Sequence, residues 1–299
     1  MRDLRIFFQA LGILLWACVS FAREVVDATQ AHVLLKEKPQ RVITLAPSLG
    51  ELVADLLGGE LERLIAVSEH SDYPPALKRK SSIGPYHQFN LEKVLALKPD
   101  LVLATTDGNP RDPVIHLREL GVPVITVQTG SFQEVQESMR LVGLALGVSS
   151  LGDQMAKQLE VGIQNIRKKS QKKSKQHSSL RVMLQVGDDP LVVVGSGSFL
   201  SSALEVTGAQ NIYEKAQVRY PKPSLEDVIQ KNPDVIVIMA VGSDLSVYER
   251  MAQKWKQLAG LKAVINRKVF VLRSDALLRP TLRLLEGISL LSRTLYGSG

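Results

Sequence analysis

Asn90-Leu-Glu-Lys-Val-Leu-Ala-Leu-Lys-Pro-Asp100, followed by the apolar run Leu101 to Ala104, reads as one unit of helix, turn and strand. Asn90 is placed to cap the helix, and Glu92 falls in its first turn, where the helix dipole favours negative charge. Pro99 stops the helix, and the run after it has the length and composition of a buried strand. The unit returns as Ser224-Leu-Glu-Asp-Val-Ile-Gln-Lys-Asn-Pro-Asp234 followed by Val235 to Met239. Glu92 and Asp100 are eight residues apart, and so are Glu226 and Asp234. One supersecondary unit has therefore been built twice.

The flanks extend the match. Ahead of the first copy, Arg41 to Leu45 reads as a strand that runs into Ala46-Pro47-Ser48. Glu51 to Leu57 then has helical spacing and ends at Gly58-Gly59, and Leu64 to Val67 is a second strand. After it come a short helix over His116 to Leu120 and a strand over Val122 to Val127. Ahead of the second copy, Arg181 to Val186 reads as a strand, and Ser202 to Val206 as a helix stopped at Gly208. Behind it, Trp255 to Leu261 closes a helix and Lys268 to Leu272 is the last strand. Strands alternating with helices give an α/β protein with mostly parallel sheets, and the doubling gives two similar lobes. Between the halves, Val135, Met139, Val142 and Leu146 recur every three to four residues within Phe132 to Arg167. That spacing predicts one long, rigid amphipathic helix joining the lobes. The expected division is a signal over 1–22, a first lobe over 23–130, an interlobe helix and basic linker over 131–179, and a second lobe over 180–299.

The start of the chain reads as an address. Arg2 and Arg5 precede 17 uncharged residues from Ile6 to Ala22, too short for a typical membrane span and suited to a secretory signal. Ser20 and Ala22 offer small residues at a cleavage spacing. Leu15-Trp-Ala-Cys18 loosely resembles a bacterial lipoprotein box with a bulky Trp16, so both soluble release and lipid attachment through Cys18 stay open. No later stretch reads as a membrane span.

With 45% hydrophobic and 22% charged residues, the 299-residue chain is not a disordered one. Its single cysteine excludes an intrachain disulfide and any cysteine-only metal site. Much of the net charge of +7 sits in one run, Arg167, Lys168, Lys169, Lys172, Lys173 and Lys175. That run contains no aromatic residue for base stacking, so it reads as a solvated helix end and not as a nucleic-acid site. The five histidines form no pair with metal-ligand spacing and none adjoins a nucleophile. Ser48 lacks the glycines of a nucleophile elbow. Gly195-Ser-Gly-Ser198 lacks the lysine of a phosphate loop, which leaves a turn or a loop edging the cleft. The residues thus favour binding over catalysis, with no catalytic residue, resident cofactor or metal expected.

Three segments together, Arg41-Val-Ile-Thr-Leu-Ala-Pro-Ser48, Ser71-Asp-Tyr-Pro-Pro75 and Asn90 to Asp100, strongly resemble the bacterial periplasmic substrate-binding proteins of the cobalamin and iron-chelate import class. Ser71 to Pro75, Leu184-Gln-Val-Gly187 and Ser274-Asp275 followed by Arg279 bring the chain nearest to the cobalamin binders within that class. The resemblance covers about Gln40 to Leu295. It implies a monomeric periplasmic protein that holds a corrinoid between its lobes and delivers it to the permease dimer of an ABC importer. It also implies site residues. Tyr73 and Tyr86 would line the first lobe's side of the pocket and Tyr220 the second's, while Asp275 and Arg279 would meet the ligand's polar rim. Glu92 and Glu226 would dock the two lobes on the transporter. The chemistry suits a corrin, whose broad apolar face takes rigid aromatic area and whose amide edge takes a donor and an acceptor. The sequence departs from the pattern at Thr105, where the class has tryptophan, and at Ala276-Leu-Leu278, which lacks aromatics. A haem or an iron siderophore is the alternative ligand, with Arg111, Arg219, Arg273 and Arg279 available for an anionic chelate. A metal-cofactor enzyme of related two-lobed fold is the alternative from another class.

Overall fold

The computed structural model describes residues 22–58, 60–174, 179–240 and 245–297. The expected signal up to Phe21, with Cys18, and Lys175 at the end of the basic run lie outside the described residues. A hairpin of β1 (Ala22–Val26) and β2 (His32–Lys36) comes first. The first lobe continues through β3 (Val42–Thr44), α1 (Pro47–Leu57), β4 (Leu64–Val67), β5 (Ser81–Ser82), α2 (Leu91–Ala96), β6 (Leu101–Thr105), α3 (Arg111–Glu119) and β7 (Val124–Val127). Two helices follow, α4 (Phe132–Leu146) and α5 (Ser149–Ser174). The second lobe holds β8 (Arg181–Gly187), β9 (Val192–Val193), α6 (Phe199–Val206), β10 (Gln210–Asn211), α7 (Leu225–Lys231), β11 (Val235–Ala240), α8 (Ser246–Lys256), α9 (Lys262–Ile265), β12 (Val269–Arg273) and α10 (Leu284–Tyr296).

The first sheet has the parallel order β5-β4-β3-β6-β7, and the second β10-β8-β11-β12 with β9 antiparallel against β8. In each lobe the first strand of the sheet, β3 or β8, pairs with β6 or β11, and the chain winds away from it in both directions. The C-terminal ends of these two strands are therefore switch points, where an open α/β sheet leaves a crevice.

Both faces of each sheet are covered. Val42, Leu101, Leu103 and Ile125 point into one core, and Ile43, Val102, Ala104 and Val124 into another. The first of these cores runs without interruption into the second lobe through Val182, Leu184, Val235 and Val237, while Met183, Ile236 and Ile238 face a third. The two lobes thus share one hydrophobic core.

The helical connection is present, but its course differs from a single helix beginning at Phe132. That helix ends at Leu146, Gly147 caps it in the left-handed region at φ 80°, and α5 starts afresh at Ser149. The helices fold back on each other at two glycines: a Cβ on Gly143 would stand 2.8 Å from the Gly152 Cα. The 26 residues of α5, about 39 Å of helix, then carry the chain from α4 of the first lobe to α6 and α10 of the second.

Candidate functional site

A cleft of about 630 Å³ lies between the lobes, at the C-terminal ends of the central strands. Its floor on the first lobe is the turn Ala46-Pro47-Ser48 at the end of β3, with Thr105 at the end of β6. On the second lobe the matching position is the start of α6, where Phe199 and Leu200 enter the cleft. Proline at the first helical position opens α1, and the Ser198 side chain caps α6 by accepting from the Ser201 N–H at 3.2 Å.

Four of the five expected pocket residues line this cleft: Tyr86, Tyr220, Asp275 and Arg279. Tyr86 lies against the first lobe's backbone, its Cε2 2.4 Å from where a Cβ on Gly108 would be. The Asn109 amide holds the same loop down, donating to the Tyr86 carbonyl at 2.7 Å and to the Leu45 carbonyl at 2.8 Å. Tyr220 stands on the opposite wall, 43% exposed. The surrounding protein, and then the Asp107 carboxylate, push its phenol above the ordinary pKa, so it stays a neutral donor.

Tyr73 is placed differently. Its ring does not line the cleft but carries the Arg283 guanidinium, 3.9 Å from the ring centroid. Arg283 in turn donates to Glu51 of α1 at 3.0 Å and to Asp275 at 2.8 Å. Asp275 also accepts from Arg279 Nε at 3.2 Å, and Arg279 reaches the His70 carbonyl of the first lobe at 3.2 Å. Burial works against ionisation of Asp275, but Arg283 and Arg279 outweigh it and hold the carboxyl below the usual range. Glu51 is 1% exposed and accepts from the Thr281 hydroxyl, and here burial prevails and raises its pKa. Asp275 and Arg279 are therefore members of an interlobe network as well as of the cleft wall.

Sequence reasoning did not single out Asp107, Thr129 or Phe199. Phe199 could have been found from the repeat, since α6 occupies in the second lobe the place of α1. Arg219, named only as a possible partner for an anionic chelate, pairs with Asp107 across the cleft.

Glu92 and Glu226 are exposed, each at the second position of its helix and each on its own lobe. Asn90 Oδ1 accepts from the Lys93 N–H at 2.8 Å, and Ser224 Oγ from the Asp227 N–H at 3.2 Å. Backbone N–H and the Ser224 hydroxyl hold the Glu226 carboxyl below its usual pKa, so it is ionised at neutral pH. Among the described residues, no three histidine, cysteine, aspartate or glutamate side chains are gathered for a metal ion.

Two parallel-sheet lobes on a helical spine, with one aromatic-walled cleft between them, define a two-lobed solute-binding protein. The family model described as periplasmic binding protein matches residues 42–276, and the chain belongs to that family. It is 31% identical over 249 residues to the vitamin B12-binding protein of Vibrio cholerae, covering 83% of this chain and 86% of the relative. Among solved structures, the periplasmic vitamin B12 binding protein of Vibrio cholerae superimposes with a TM-score of 0.73 at 30% identity, covering 86% of this chain and 96% of that one. A periplasmic heme binding protein from Pseudomonas aeruginosa gives a TM-score of 0.75 at 26% identity, covering 87% and 94%. The family assignment makes the protein a periplasmic solute carrier and not an enzyme, working with the membrane permease of an ABC importer.

Proposed function

We propose that the protein binds a corrinoid in the interlobe cleft and hands it to the permease dimer of an ABC importer. The observation that carries this reading is the cleft of about 630 Å³ itself, which Tyr86 of the first lobe and Tyr220 of the second both line. A flat, largely apolar ring system fits between such walls. The charges agree. The two arginines of the cleft, Arg219 and Arg279, each already have a carboxylate partner, so the polar rim offers balanced donors and acceptors of the kind amide groups use. Relatives that carry the name vitamin B12-binding protein support the same ligand. Tyr86 and Tyr220 sandwich the ring, Arg279 and Asp275 meet amide side groups, and Tyr73 supports them from behind through Arg283. The protein acts as a monomer, and Glu92 and Glu226 seat it on the two permease subunits.

Calorimetric and spectral titration of the purified protein with cyanocobalamin tests the ligand. One corrinoid per chain with sub-micromolar affinity, about −8 kcal/mol or better, is expected. No heat and no spectral change up to about 100 μM, with tight binding of haemin or a ferric siderophore instead, would replace the corrinoid by that ligand.

A further inference from the structure

An ion pair between the lobes crosses the cleft. Arg219, on the segment between β10 and α7, joins its Nη1 to Oδ1 of Asp107 in the first lobe. The guanidinium lies on first-lobe backbone, since a Cβ on Gly130 would stand 2.4 Å from its Nη2. Its own main chain is fixed too, the carbonyl accepting from the Gly195 N–H at 2.7 Å. The second oxygen of Asp107 is held by the Thr129 N–H at 2.8 Å and the Thr129 hydroxyl at 2.9 Å. Both members of the pair are thus oriented from behind, and both line the cleft beside Tyr86 and Tyr220. The other arginine there, Arg279, is paired with Asp275 at 3.2 Å.

An unpaired arginine in this position would draw in a ligand that carries carboxylates. With Asp107 fixed beside it, such a ligand must compete for the guanidinium and bring its own negative charge next to another. A ligand of no net charge meets neither obstacle. Discrimination built from a repulsive element is a common route to specificity. We propose that Asp107 is a specificity-determining residue, which neutralises Arg219 and so biases the cleft against anionic chelates. This rests on the corrinoid reading for the favoured ligand, but the bias against anions can be measured without it. The side chains of Arg219 and Asp107 are 43% and 28% exposed, so water moderates the effect without abolishing it.

Asp107→Asn suits the test because its oxygen can still accept from Thr129 while its amide no longer pairs with Arg219. Wild type, Asp107→Asn, Arg219→Gln and the double variant are titrated with haemin, which carries two propionates, and with cyanocobalamin, which has no net charge. Haemin affinity is expected to rise at least about tenfold in Asp107→Asn, by more than any change for cyanocobalamin. The gain should shrink as salt is raised and vanish in the double variant. Arg219→Gln, which leaves Asp107 unpaired, should weaken haemin below wild type, and it decides the matter if Asp107→Asn proves unstable. Haemin affinity unchanged in Asp107→Asn, or an equal gain in the double variant, would overturn the assignment. A wild-type protein that binds no corrinoid sinks the ligand reading alone, because the haemin ratios among the variants still report on Asp107.

Discussion

Asp27 shows how much a single side chain can organise. It sits at the end of β1, 2% exposed, and ties the N-terminal hairpin to the first sheet. It accepts from the Thr126 N–H at 2.8 Å, from the Thr29 N–H and hydroxyl at 2.8 and 2.7 Å, and from Arg118. Burial alone would raise its pKa, but the Thr29 hydroxyl and the N–H groups of Thr126, Ala31 and Thr29 outweigh burial and hold the carboxyl below its ordinary value. A carboxyl depressed in the folded state stabilises it above the unfolded pKa, and that contribution fades as pH falls through the folded value. Asp27→Asn is accordingly expected to cost on the order of 2–3 kcal/mol at neutral pH. It should also flatten the loss of stability below about pH 4, where the wild-type carboxylate takes up its proton. Urea unfolding of both forms at several pH values checks this, and parallel stability curves would show that Asp27 is not the source. Nothing in the sequence marked Asp27, because the partners that tie it to the sheet, Arg118 and Thr126, lie about a hundred residues further on. Asp100 and Asp234 are the opposite case. Their recurrence was legible, and its cause is the same on both lobes: each carboxylate accepts the N–H that opens the first sheet strand, Arg41 at 2.6 Å and Arg181 at 2.9 Å. The residue two places before each, Lys98 and Asn232, turns the chain at φ 45° and 44°.

Among the elements, the alternating strands and helices could be read because each follows a local period. The join between α4 and α5 could not. The apolar spacing continues across Gly147 because both helices bury their stripes in the same core, so periodicity alone sees one helix. What separates them is the left-handed turn at Gly147 and the close approach of Gly143 to Gly152, a tertiary requirement that a glycine in the sequence does not announce. The hairpin of β1 and β2 and the helix α10 were missed for a related reason, since they lie outside the repeat and had no counterpart to expose them. The close approach makes a prediction. A Cβ at Gly152 would stand 2.7 Å from the Met139 carbonyl oxygen, which is backbone and cannot rotate away. Gly152→Ala should therefore destabilise the protein by about 1–3 kcal/mol despite the better helix propensity of alanine. A melting temperature equal to or above wild type would mean that the helices do not meet at these glycines.

At the scale of the molecule, the relation between the lobes is set by more than the spine. One core is common to both, and Glu51 and the His70 carbonyl of the first lobe are bonded to Arg283 and Arg279 of the second. Two exposed glutamates on equivalent helices are therefore held at a defined separation, Glu92 on one lobe and Glu226 on the other. A partner built from two subunits could read both at once, and a fixed spacing would select one orientation of the carrier on it. Charges of this kind act mainly on encounter and registration, while the cleft, lined by other residues, should be indifferent to them. Glu92→Ala combined with Glu226→Ala is expected to leave corrinoid affinity within about threefold of wild type. It should weaken association with the permease in nanodiscs at least about tenfold, or about 1.4 kcal/mol, and make that association less sensitive to salt. Each single change should give an intermediate loss if both subunits are contacted. Association unchanged in the double variant would move the docking surface elsewhere, and loss of corrinoid binding would place these helices at the cleft and not at the membrane.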